Sequence, residues 1–388
     1  MTQTILLGDV AEVLGGGTPS TKNSHFWGGD IPWITPRDLS THVDMYISKG
    51  ERNITNTGLE GSSAKLFPAE SVIFSSRAPI GYVTIARIPM TTNQGCKGII
   101  CDEVNLHNKF LYYWLKLKKK HIEDLAGGST FKEISTSGVR NLNIELPDLE
   151  TQKKVADILG TIDEKIELNR KMNETLEQMG QALFRHYFID NPEANKWDDG
   201  TVADLGKVIT GKTPSKSKAE YYGGDVMFLK VPDMHGQSII IKTEDMLSSL
   251  GADSQGNKYI PKWSTCVSCI ATVGVVSLVG RQLQTNQQIN SIVPKNRSYA
   301  LFNYYLLKSK SETLKTMASG GSATPNLNKG HFERIKIKVP PIELLGKFQN
   351  ESENILHTVD ANTHQIQTLT TLRDTLLPLL ISGKIKVK

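Results

Sequence analysis

The chain repeats itself, and the register of the repeat constrains the fold more than any other feature of the sequence. Three motifs of the first half recur in the second half: Gly17-Thr18-Pro19-Ser20 as Lys212-Thr213-Pro214-Ser215, Thr92-Asn93-Gln94 as Thr285-Asn286-Gln287, and Gly127-Gly128-Ser129 as Gly320-Gly321-Ser322. The first pair is offset by 195 residues and the other two by 193. A register kept over roughly 150 residues, with one two-residue slip, indicates a tandem duplication and a pseudo-twofold internal repeat.

The first part of each repeat predicts a β-rich α+β domain. Short β-branched runs interrupted by Gly, Pro and Asn are typical of strands. In the first repeat these strands are expected at residues 71–74, 81–85 and 142–146. A helix is expected at residues 106–120, with its equivalent at 301–317. The sequence therefore predicts two globular domains, at residues 1–149 and 191–341.

The second part of each repeat predicts a long helix. Apolar residues recur there at spacings of three and four over about four heptads, as in a coiled coil. In the first helix, expected over residues 150–190, the packed positions are Val155, Leu159, Ile162, Ile166, Asn169, Leu176 and Leu183. In the second, over residues 342–388, they are Phe348, Ile355, Val359, Asn362, Ile366, Leu369 and Leu376. Asn169 and Asn362 are equivalent, and a buried Asn at such a position fixes register at a cost in stability.

The two helices can pair antiparallel and so hold the two domains a fixed distance apart. At about 1.5 Å per residue, some 40 helical residues would span about 60 Å. Alternatively, each helix packs only on its own domain. The predicted fold is α+β, with two β-rich domains in tandem separated by two long antiparallel helices that form a coiled coil.

Composition narrows the class of protein. The chain has 388 residues, of which 38% are hydrophobic and 22% charged, as in a globular protein of two or three domains. No apolar run reaches the roughly 18 to 20 residues that a membrane span needs, and the N-terminus lacks the pattern of a signal peptide. Four cysteines do not make a disulfide framework, so we expect a cytoplasmic protein with no membrane partner.

Charge is distributed unevenly along the chain. Residues 1–149 are neutral overall, whereas residues 191–341 carry a net charge of +7 within a chain total of +5. The second domain is therefore basic enough to approach phosphate, and the first would need a local basic patch. The two predicted helices carry no excess of basic residues, which makes them poor candidates to lie on a duplex.

One motif matches the phosphate-binding P-loop letter for letter, from Gly206 to Thr213. Such a loop works between a buried strand and a helix whose N-terminus faces the phosphate. Here Pro214 and a polar run follow, without the apolar period of a helix, and residues 201–205 do not resemble a buried strand. We therefore interpret the match as fortuitous.

Cys266 and Cys269 have the spacing of a zinc or redox site. The repeat places them opposite Ile73 and Ser76, within a predicted strand, where residues three apart point to opposite faces. One ion could not bind both, so buried and unreactive thiols are expected.

The sequence contains no recognisable catalytic constellation. The nine histidines are scattered, and there is no methyltransferase motif of the Asn-Pro-Pro-aromatic type, no convincing glycine-rich cofactor loop and no nuclease-type pair of carboxylates. We therefore expect no catalytic residues, no metal and no cofactor on this chain, and a binding function.

In their order, these features resemble the specificity subunits of type I restriction-modification systems. Each repeat opens with a Gly-Thr-Pro-Ser-like element, carries a Thr-Asn-Gln run and a Gly-Gly-Ser loop, and passes through a Leu-Pro or Val-Pro exit into a long helix. The first helix opens at Glu150, and residues 376–385 resemble the usual terminus of the family. The second helix departs from the family pattern at its start, where Leu345-Gly346-Lys347 replaces an opening of the Gln-Lys-Lys type.

The resemblance implies a non-catalytic reader of double-stranded DNA. The two globular domains would be target-recognition domains for the two parts of an asymmetric sequence, and the helices would form a spacer that docks two methyltransferase subunits. Those subunits would carry S-adenosylmethionine, and restriction or translocase subunits can join them. Two alternatives stay open: a single fused restriction-methylation enzyme as the partner, and a coiled-coil scaffold with two protein-binding domains as the function.

Comparison of the repeats separates residues that maintain the fold from those that could read bases. Residues shared by both, such as Asp30 and Asp225 or Gly81 and Gly274, are expected in turns or the core, because the two domains would read different sequences. Base readout is expected from polar loop residues that differ between the repeats. In the first domain the candidates are Lys22, Asn23, Arg37, Arg77, Lys97 and Lys132. In the second they are Lys212, Lys216, Lys218, Lys230, Gln288, Asn290, Asn326 and Lys329.

Overall fold

The computed structural model of the chain describes residues 3–127, 132–319 and 324–387. It divides the chain into two compact units. Unit 1 comprises Met1–Glu167 and Gln367–Lys388, and unit 2 comprises Leu168–Ile366. The division runs through both long helices, so each unit contains one β-rich domain and a part of each helix.

The strands of unit 1 form a five-stranded sheet, a three-stranded sheet and a two-stranded ribbon. They are β1 (Gln3–Leu6), β2 (Ala11–Gly15), β3 (Trp27–Ile34), β4 (Tyr46–Ile47), β5 (Arg52–Ile54), β6 (Val72–Ser75), β7 (Val83–Ala86), β8 (Thr91–Thr92), β9 (Cys96–Cys101) and β10 (Asn143–Leu146). The orders are β2-β9-β6-β7-β4, β5-β3-β8 and β1-β10. The pairs β4–β7 and β3–β8 are parallel and the others antiparallel.

The strands of unit 2 repeat this arrangement. They are β11 (Asp198–Thr201), β12 (Gly206–Thr210), β13 (Tyr222–Leu229), β14 (Ile239–Ile240), β15 (Asp245–Leu247), β16 (Thr265–Ser268), β17 (Val276–Val279), β18 (Leu283–Thr285), β19 (Ile289–Pro294) and β20 (Lys336–Val339). The orders are β12-β19-β16-β17-β14, β15-β13-β18 and β11-β20. Because strand order and the positions of the parallel pairs agree in both units, the predicted tandem duplication is confirmed at the level of topology.

Helices connect these strands. They are α1 (Leu7–Val10), α2 (Pro36–Thr41), α3 (Asn56–Glu60), α4 (Asn108–Leu125), α5 (Thr136–Arg140), α6 (Leu149–Phe184), α7 (Val231–Met234), α8 (Ser249–Asp253), α9 (Ala300–Ser309), α10 (Ser311–Ala318), α11 (Lys329–Glu333) and α12 (Ile342–Ile381). Single 3-10 turns lie at Ser24–Phe26, Ala194–Lys196, Val202–Asp204, Ala219–Tyr221, Gly256–Lys258 and Arg297–Tyr299. A π-helical turn, Arg185–Ile189, follows α6.

Two predicted elements differ from the structure. Strand β7 begins at Val83 and not at Gly81, because Gly81 has a positive φ of 97° and belongs to the preceding turn. The single helix expected at 301–317 is two helices that meet at Lys310. Lys310 has φ of −93° and ψ of 8°, outside the α-helical conformation, and the Ser311 hydroxyl that follows donates to the Gly274 carbonyl (2.7 Å).

Helix α6 begins where Asp148 caps it. The Asp148 carboxylate accepts hydrogen bonds from the Thr151 backbone N–H (2.9 Å) and hydroxyl (2.8 Å). These bonds lower the pKa of Asp148, because they stabilise its charged form at a helix N-terminus. At the other end of the chain, α12 ends at Ile381, and Pro378 is tolerated in its last turn.

The core of unit 1 lies between the five-stranded sheet and α4, and the ends of both long helices complete it. Phe110 and Trp114 of α4 are buried there together with Leu159 of α6 and Leu377 and Leu380 of α12. Fully burying an aliphatic side chain contributes about 1.5–3 kcal/mol, so the last turns of α12 are an integral part of this unit. In unit 1, therefore, the first half of α6 contacts the end of α12.

The core of unit 2 has the complementary arrangement. Phe188, in the turn after α6, packs 4.9 Å from the ring of Phe302 and 5.1 Å from that of Phe348 in α12. Leu176 and Leu183 of α6 pack against the same core. Here the second half of α6 contacts the start of α12, so the helix contacts within each unit are antiparallel, as predicted. The alternative in which each helix packs only on its own domain is wrong, because α6 contributes to both cores.

The positions predicted to pack in the two helices are all buried or half-buried. Asn169 is fully buried, and its amide donates to Gln365 Oε1 (2.7 Å). Asn362 donates to Asn173 Oδ1 (2.9 Å), and Asn173 in turn lies 3.5 Å from the Thr363 hydroxyl. In unit 2 the helices are thus joined by a polar layer as well as by apolar contacts.

Candidate nucleic-acid interface

Loops gather at one end of the five-stranded sheet of unit 1. They comprise residues 16–23 after β2, Arg77 after β6, residues 94–97 at the start of β9, and residues 132–133; we call this set the loop face of unit 1. The equivalent loop face of unit 2 comprises residues 211–218, 270, 287–290 and 326. Residues 128–131 and 320–323, which hold most of the two Gly-Gly-Ser motifs, lie outside the described residues.

The motifs shared by the two repeats hold these loops in place. Gly16 packs so closely on the Thr92-Asn93 backbone that a Cβ atom would lie 2.1 Å from the Asn93 carbonyl oxygen, and Gly211 meets Asn286 at the same 2.1 Å. The Thr18 hydroxyl donates to Gln94 Oε1, and the Thr213 hydroxyl donates to Gln287 Oε1. The Gly-Thr-Pro-Ser and Thr-Asn-Gln motifs therefore form one scaffold in each unit.

Other shared residues shape strands and turns. Gly28 and Gly223 both have φ of 81° and bend β3 and β13 at the point where the pairing register shifts. Asp30 and Asp225 follow these glycines within the strands, and their side chains are exposed. The expectation that residues shared by the two repeats lie in turns or in the core is therefore wrong for these two. Gly274, like Gly81, has a positive φ.

Three charged groups meet on the loop face of unit 1. Glu133 lies 3.4 Å from Arg77 and 3.7 Å from Lys97. Burial lowers the pKa of Lys97, and the charge of Glu133 opposes this effect. Lys97 Nζ also donates to the Gln94 carbonyl (3.2 Å). Glu133 therefore offsets one of the two positive charges of this cluster.

The remaining candidates of unit 1 are accessible. Lys22 is exposed, and half-buried Asn23 caps a 3-10 turn by accepting from the His25 backbone N–H (3.1 Å). The side chain of Arg37 is 84% exposed, and its ion pair with Glu51 is long at 3.9 Å. Lys132 is exposed and donates to a backbone carbonyl at 3.4 Å. The structure therefore brings Lys22, Asn23 and Lys132 onto the loop face, whereas Arg37 lies in α2.

In unit 2 the exposed cations follow β12. Lys212, Lys216 and Lys218 are exposed, and Lys218 lies over the Tyr221 ring at 4.9 Å. Other candidates are held by local contacts: Lys230 by Asp245, Lys329 by Glu333 (3.3 Å), Gln288 by the Asn286 amide (2.8 Å), and Asn326 by a backbone bridge to Ile270. The three lysines are the best-placed phosphate contacts of this unit.

Two candidates expected in loops lie in strands. Lys97 is the second residue of β9, and Asn290 is the second residue of β19. Asn290 is 2% exposed, accepts from the Thr210 hydroxyl (2.6 Å) and donates to the Leu327 carbonyl (3.3 Å). Its side chain is buried and hydrogen-bonded to other parts of the protein, so the prediction that Asn290 is an accessible loop residue is wrong.

Sequence reasoning missed an aromatic stack beside the loop face of unit 1. The Arg52 guanidinium lies 3.4 Å from the centroid of the Trp27 ring, and Trp27 packs edge-to-face on Trp33 at 5.0 Å. The two indole N–H groups donate to the Ser20 and Gly17 carbonyls (3.1 and 2.9 Å). Comparing aromatic positions between the repeats could have found it, because Tyr222 and Phe228 replace the two tryptophans.

The motifs that resembled other sites have structural roles. Residues 206–210 form strand β12, whose backbone pairs with β19, so the P-loop match is indeed fortuitous. Burial raises the pKa of the Cys266 and Cys269 thiols to about 12, as expected for unreactive cysteines.

Among residues 3–127, 132–319 and 324–387, no cluster of three or more His, Cys, Asp or Glu could hold a metal ion. Within the same ranges, no helix has the length and apolar character to cross a membrane.

A cavity of about 630 Å³ lies in unit 2, between the end of α6, the β11–β20 ribbon and α9–α10. Five aromatic residues line it: Phe184, Phe188, Trp197, Phe302 and Tyr305. Of the cations that line it, Arg185 pairs with Asp190 (2.8 Å), Lys308 with Glu177 (2.7 Å) and Lys338 with Asp199 (3.0 Å). No residue of the loop face lines this cavity.

The fold and the loop faces define a tandem-repeat protein that presents two similar scaffolds with different polar side chains. Residues 2–178 and 194–373 match the family described as "Type I restriction modification DNA specificity domain". The chain belongs to this family.

Known proteins support this assignment along the whole chain. The chain is 32% identical to the type I restriction enzyme MjaIX specificity subunit of Methanocaldococcus jannaschii, over 98% of this chain and 92% of that protein. It is 38% identical to the type I restriction enzyme HindI specificity subunit of Haemophilus influenzae, over 66% of this chain and 72% of that protein. The crystal structure of a type I restriction-modification S subunit from M. genitalium shares the fold, with a TM-score of 0.63 at 17% identity over 98% of this chain and 96% of that one.

Proposed function

We propose that this chain reads a two-part, asymmetric DNA sequence as the specificity subunit of a restriction-modification complex. Each unit would contact one part of the sequence through its loop face. The observation that carries the proposal is that one scaffold occurs twice with different polar side chains: the Arg77–Glu133–Lys97 cluster of unit 1 corresponds to Ile270, Asn326 and Asn290 in unit 2. Two like folds with unlike polar surfaces are suited to two different sequences.

The charges of the loop faces support DNA as the ligand. Lys212, Lys216 and Lys218 give unit 2 three exposed cations on one segment, and Lys22 and Lys132 give unit 1 two. Such contacts to phosphate position a protein on a duplex without specifying sequence. Specificity would then come from neighbouring side chains that reach base edges.

The helices α6 and α12 would act as a coiled-coil spacer between the two recognition units. With both units on one face of the duplex, the centres of the two half-sites would lie about 10 to 10.5 base pairs apart. The same helices would dock two methyltransferase subunits, which supply S-adenosylmethionine and the adenine chemistry, and restriction or translocase subunits would join that complex. The chain itself would carry out no reaction, and it would work in the cytoplasm, where the chromosome is.

Methylation mapping tests this function directly. The chain is co-expressed with a type I methyltransferase subunit in a host that lacks adenine methylation, and methylated adenines are mapped across the genome. We expect one motif with two specified parts and a fixed unspecified gap. A single contiguous motif, or methylation independent of this chain, would contradict the proposal.

A matched pair of variants links that result to the loop face. Replacing Lys216 and Lys218 by Gln should weaken binding of the complex to DNA. The slope of log affinity against log salt concentration should become shallower by about two. Replacing Lys315 and Lys336 by Gln is the control, because these lysines lie in α10 and β20, outside the loop face. This pair removes the same charge and should change the slope little.

A further inference from the structure

Arg52 is held in one orientation at the surface of unit 1. Its side chain is exposed, and its guanidinium stacks 3.4 Å above the Trp27 ring and 5.8 Å from that of Trp33. Stacking on an aromatic ring is a favourable contact for the face of a guanidinium group. The N–H donors lie in the plane of the guanidinium, so the stack leaves them able to form hydrogen bonds in that plane.

The stack is tied to the loop face. Trp27 Nε1 donates to the Ser20 carbonyl (3.1 Å), and Trp33 Nε1 donates to the Gly17 carbonyl (2.9 Å). Arg52 therefore lies beside the loop that also carries Lys22, and its position depends on the same scaffold.

The donors of Arg52 are available. Across the part of the chain that the structure describes, its guanidinium has no ion pair or hydrogen bond, whereas the neighbouring Glu51 is directed to Arg37. A long exposed side chain normally loses conformational freedom when it binds, and stacking on Trp27 reduces that loss.

The second repeat has different chemistry at the same position. Arg52 pairs across the sheet with Trp33, and Asp245 pairs in the same register with Phe228. Asp245 is neutralised by Lys230. This position thus differs between the units in the way expected of a residue that reads sequence.

We infer that Arg52 reads a guanine in the half-site of unit 1, donating two N–H groups to O6 and N7 in the major groove, with Trp27 as its positioning residue. Arginine paired with guanine in this way is the commonest specific contact between proteins and DNA, because the planar fork matches the two acceptors. The inference rests on the proposed function and assigns one specificity-determining residue within it.

Motif mapping of variants in the co-expressed complex tests the inference. In Arg52→Gln, one guanine of the unit 1 half-site should become degenerate, with discrimination against other bases falling about tenfold or more, while the other half-site stays unchanged. Arg52→Lys keeps the charge but loses the fork, so it should show the same degeneracy with an unchanged salt dependence. Trp27→Leu should reproduce the loss, and Trp27→Tyr, which copies Tyr222 of unit 2, should restore discrimination.

Arg87→Gln is the matched control, because Arg87 is also an exposed arginine of unit 1 stacked on an aromatic ring, that of Tyr46 at 4.7 Å. It should leave the motif unchanged. An unchanged motif in Arg52→Gln overturns the inference. The inference is also overturned if Arg52→Gln lowers affinity equally for all sequences and reduces the slope of log affinity against log salt by about one. That result would show that Arg52 contacts a phosphate. Failure of the wild-type complex to methylate a two-part motif would instead contradict the proposed function.

Discussion

Asn290 holds in unit 2 the position that Lys97 holds in unit 1. Lys97 lies opposite Gly15 in β2, and Asn290 lies opposite Thr210 in β12, in the same register of the same sheet. In unit 1 the side chain forms an ion pair with Glu133, and in unit 2 it is hydrogen-bonded to the Thr210 hydroxyl and the Leu327 carbonyl. Duplication has kept the backbone and changed the chemistry beside the loops.

Neutralising Glu133 should strengthen the electrostatic attraction of unit 1 for DNA. In Glu133→Gln, Arg77 and Lys97 no longer share a carboxylate, so the complex should bind DNA more tightly at low salt. Its plot of log affinity against log salt should steepen by about one. Fluorescence anisotropy at several salt concentrations measures this. Glu145→Gln, the same charge change at an exposed position of β10, is the control; an equal effect there would show that the loop face is not involved.

Asp163 should contribute strongly to the stability of unit 1. Its carboxylate accepts from the Tyr113 hydroxyl and from Arg373 Nη1, both at 2.7 Å, and the side chains of Asp163 and Arg373 are only 12% and 16% exposed. Asp163→Asn leaves a mostly buried guanidinium with only Asp374 as its partner. The free energy of unfolding should fall by about 1.5–3 kcal/mol, as for the loss of a hydrogen bond between charged groups.

Urea unfolding followed by circular dichroism measures this loss. Asp374→Asn is the control, since Asp374 is 60% exposed and its pair with Arg373 should be worth less than about 1 kcal/mol. Equal losses in the two variants would show that the Asp163 contact is not the stabilising one.

Unit 1 should lose stability in mild acid. Burial lowers the pKa of His107 and of His42 below the ordinary value of 6.5, and each ring has a nitrogen that makes no hydrogen bond to any described residue. Because the unfolded chain binds protons at these histidines first as the pH falls, the free energy of unfolding should decrease below about pH 6.5. Denaturant midpoints measured from pH 7.5 to 5.5 test this. His107→Gln should flatten the dependence, and an unchanged profile would rule out His107 as a cause.

Asn169 should fix the register of the helices at a cost in stability. Its Oδ1 is buried and makes no hydrogen bond within the described part of the chain, so only its amide is satisfied. Asn169→Leu should raise the free energy of unfolding of unit 2 by about 1 kcal/mol. Asn362→Leu should not, because it leaves the Asn173 carbonyl oxygen without its donor. Stabilisation by both substitutions would argue against a specific role of Asn169.

Features with a local or periodic signal could be predicted from the sequence. The duplication follows from the recurring motifs, the strands from β-branched runs, and the packed side of each helix from its three-and-four spacing. The exposed cations at Lys216 and Lys218 were also predictable, because a polar run with Pro214 cannot form a buried element.

Features that depend on distant contacts could not. The second half of α6 completes the core of unit 2 through Leu176, Leu183 and Phe184, and no local pattern assigns a helix to two cores. The burial of Asn290 depends on the Leu327 carbonyl, 37 residues away. The Arg52–Trp27 stack forms where β5 pairs with β3 beyond the bend at Gly28, and that register is not visible in the sequence.

The length of the helices tests the central claim most directly. Seven residues that preserve the heptad pattern are inserted into both α6 and α12, at the points where the two units meet in the chain, after Glu167 and after Ile366. The variant is mapped by methylation sequencing in complex with its methyltransferase partner, beside a variant with the insertion in α6 alone. We predict that the double insertion lengthens the unspecified gap of the motif and leaves both specified parts intact. An unchanged gap in a methylating double-insertion complex would contradict the account.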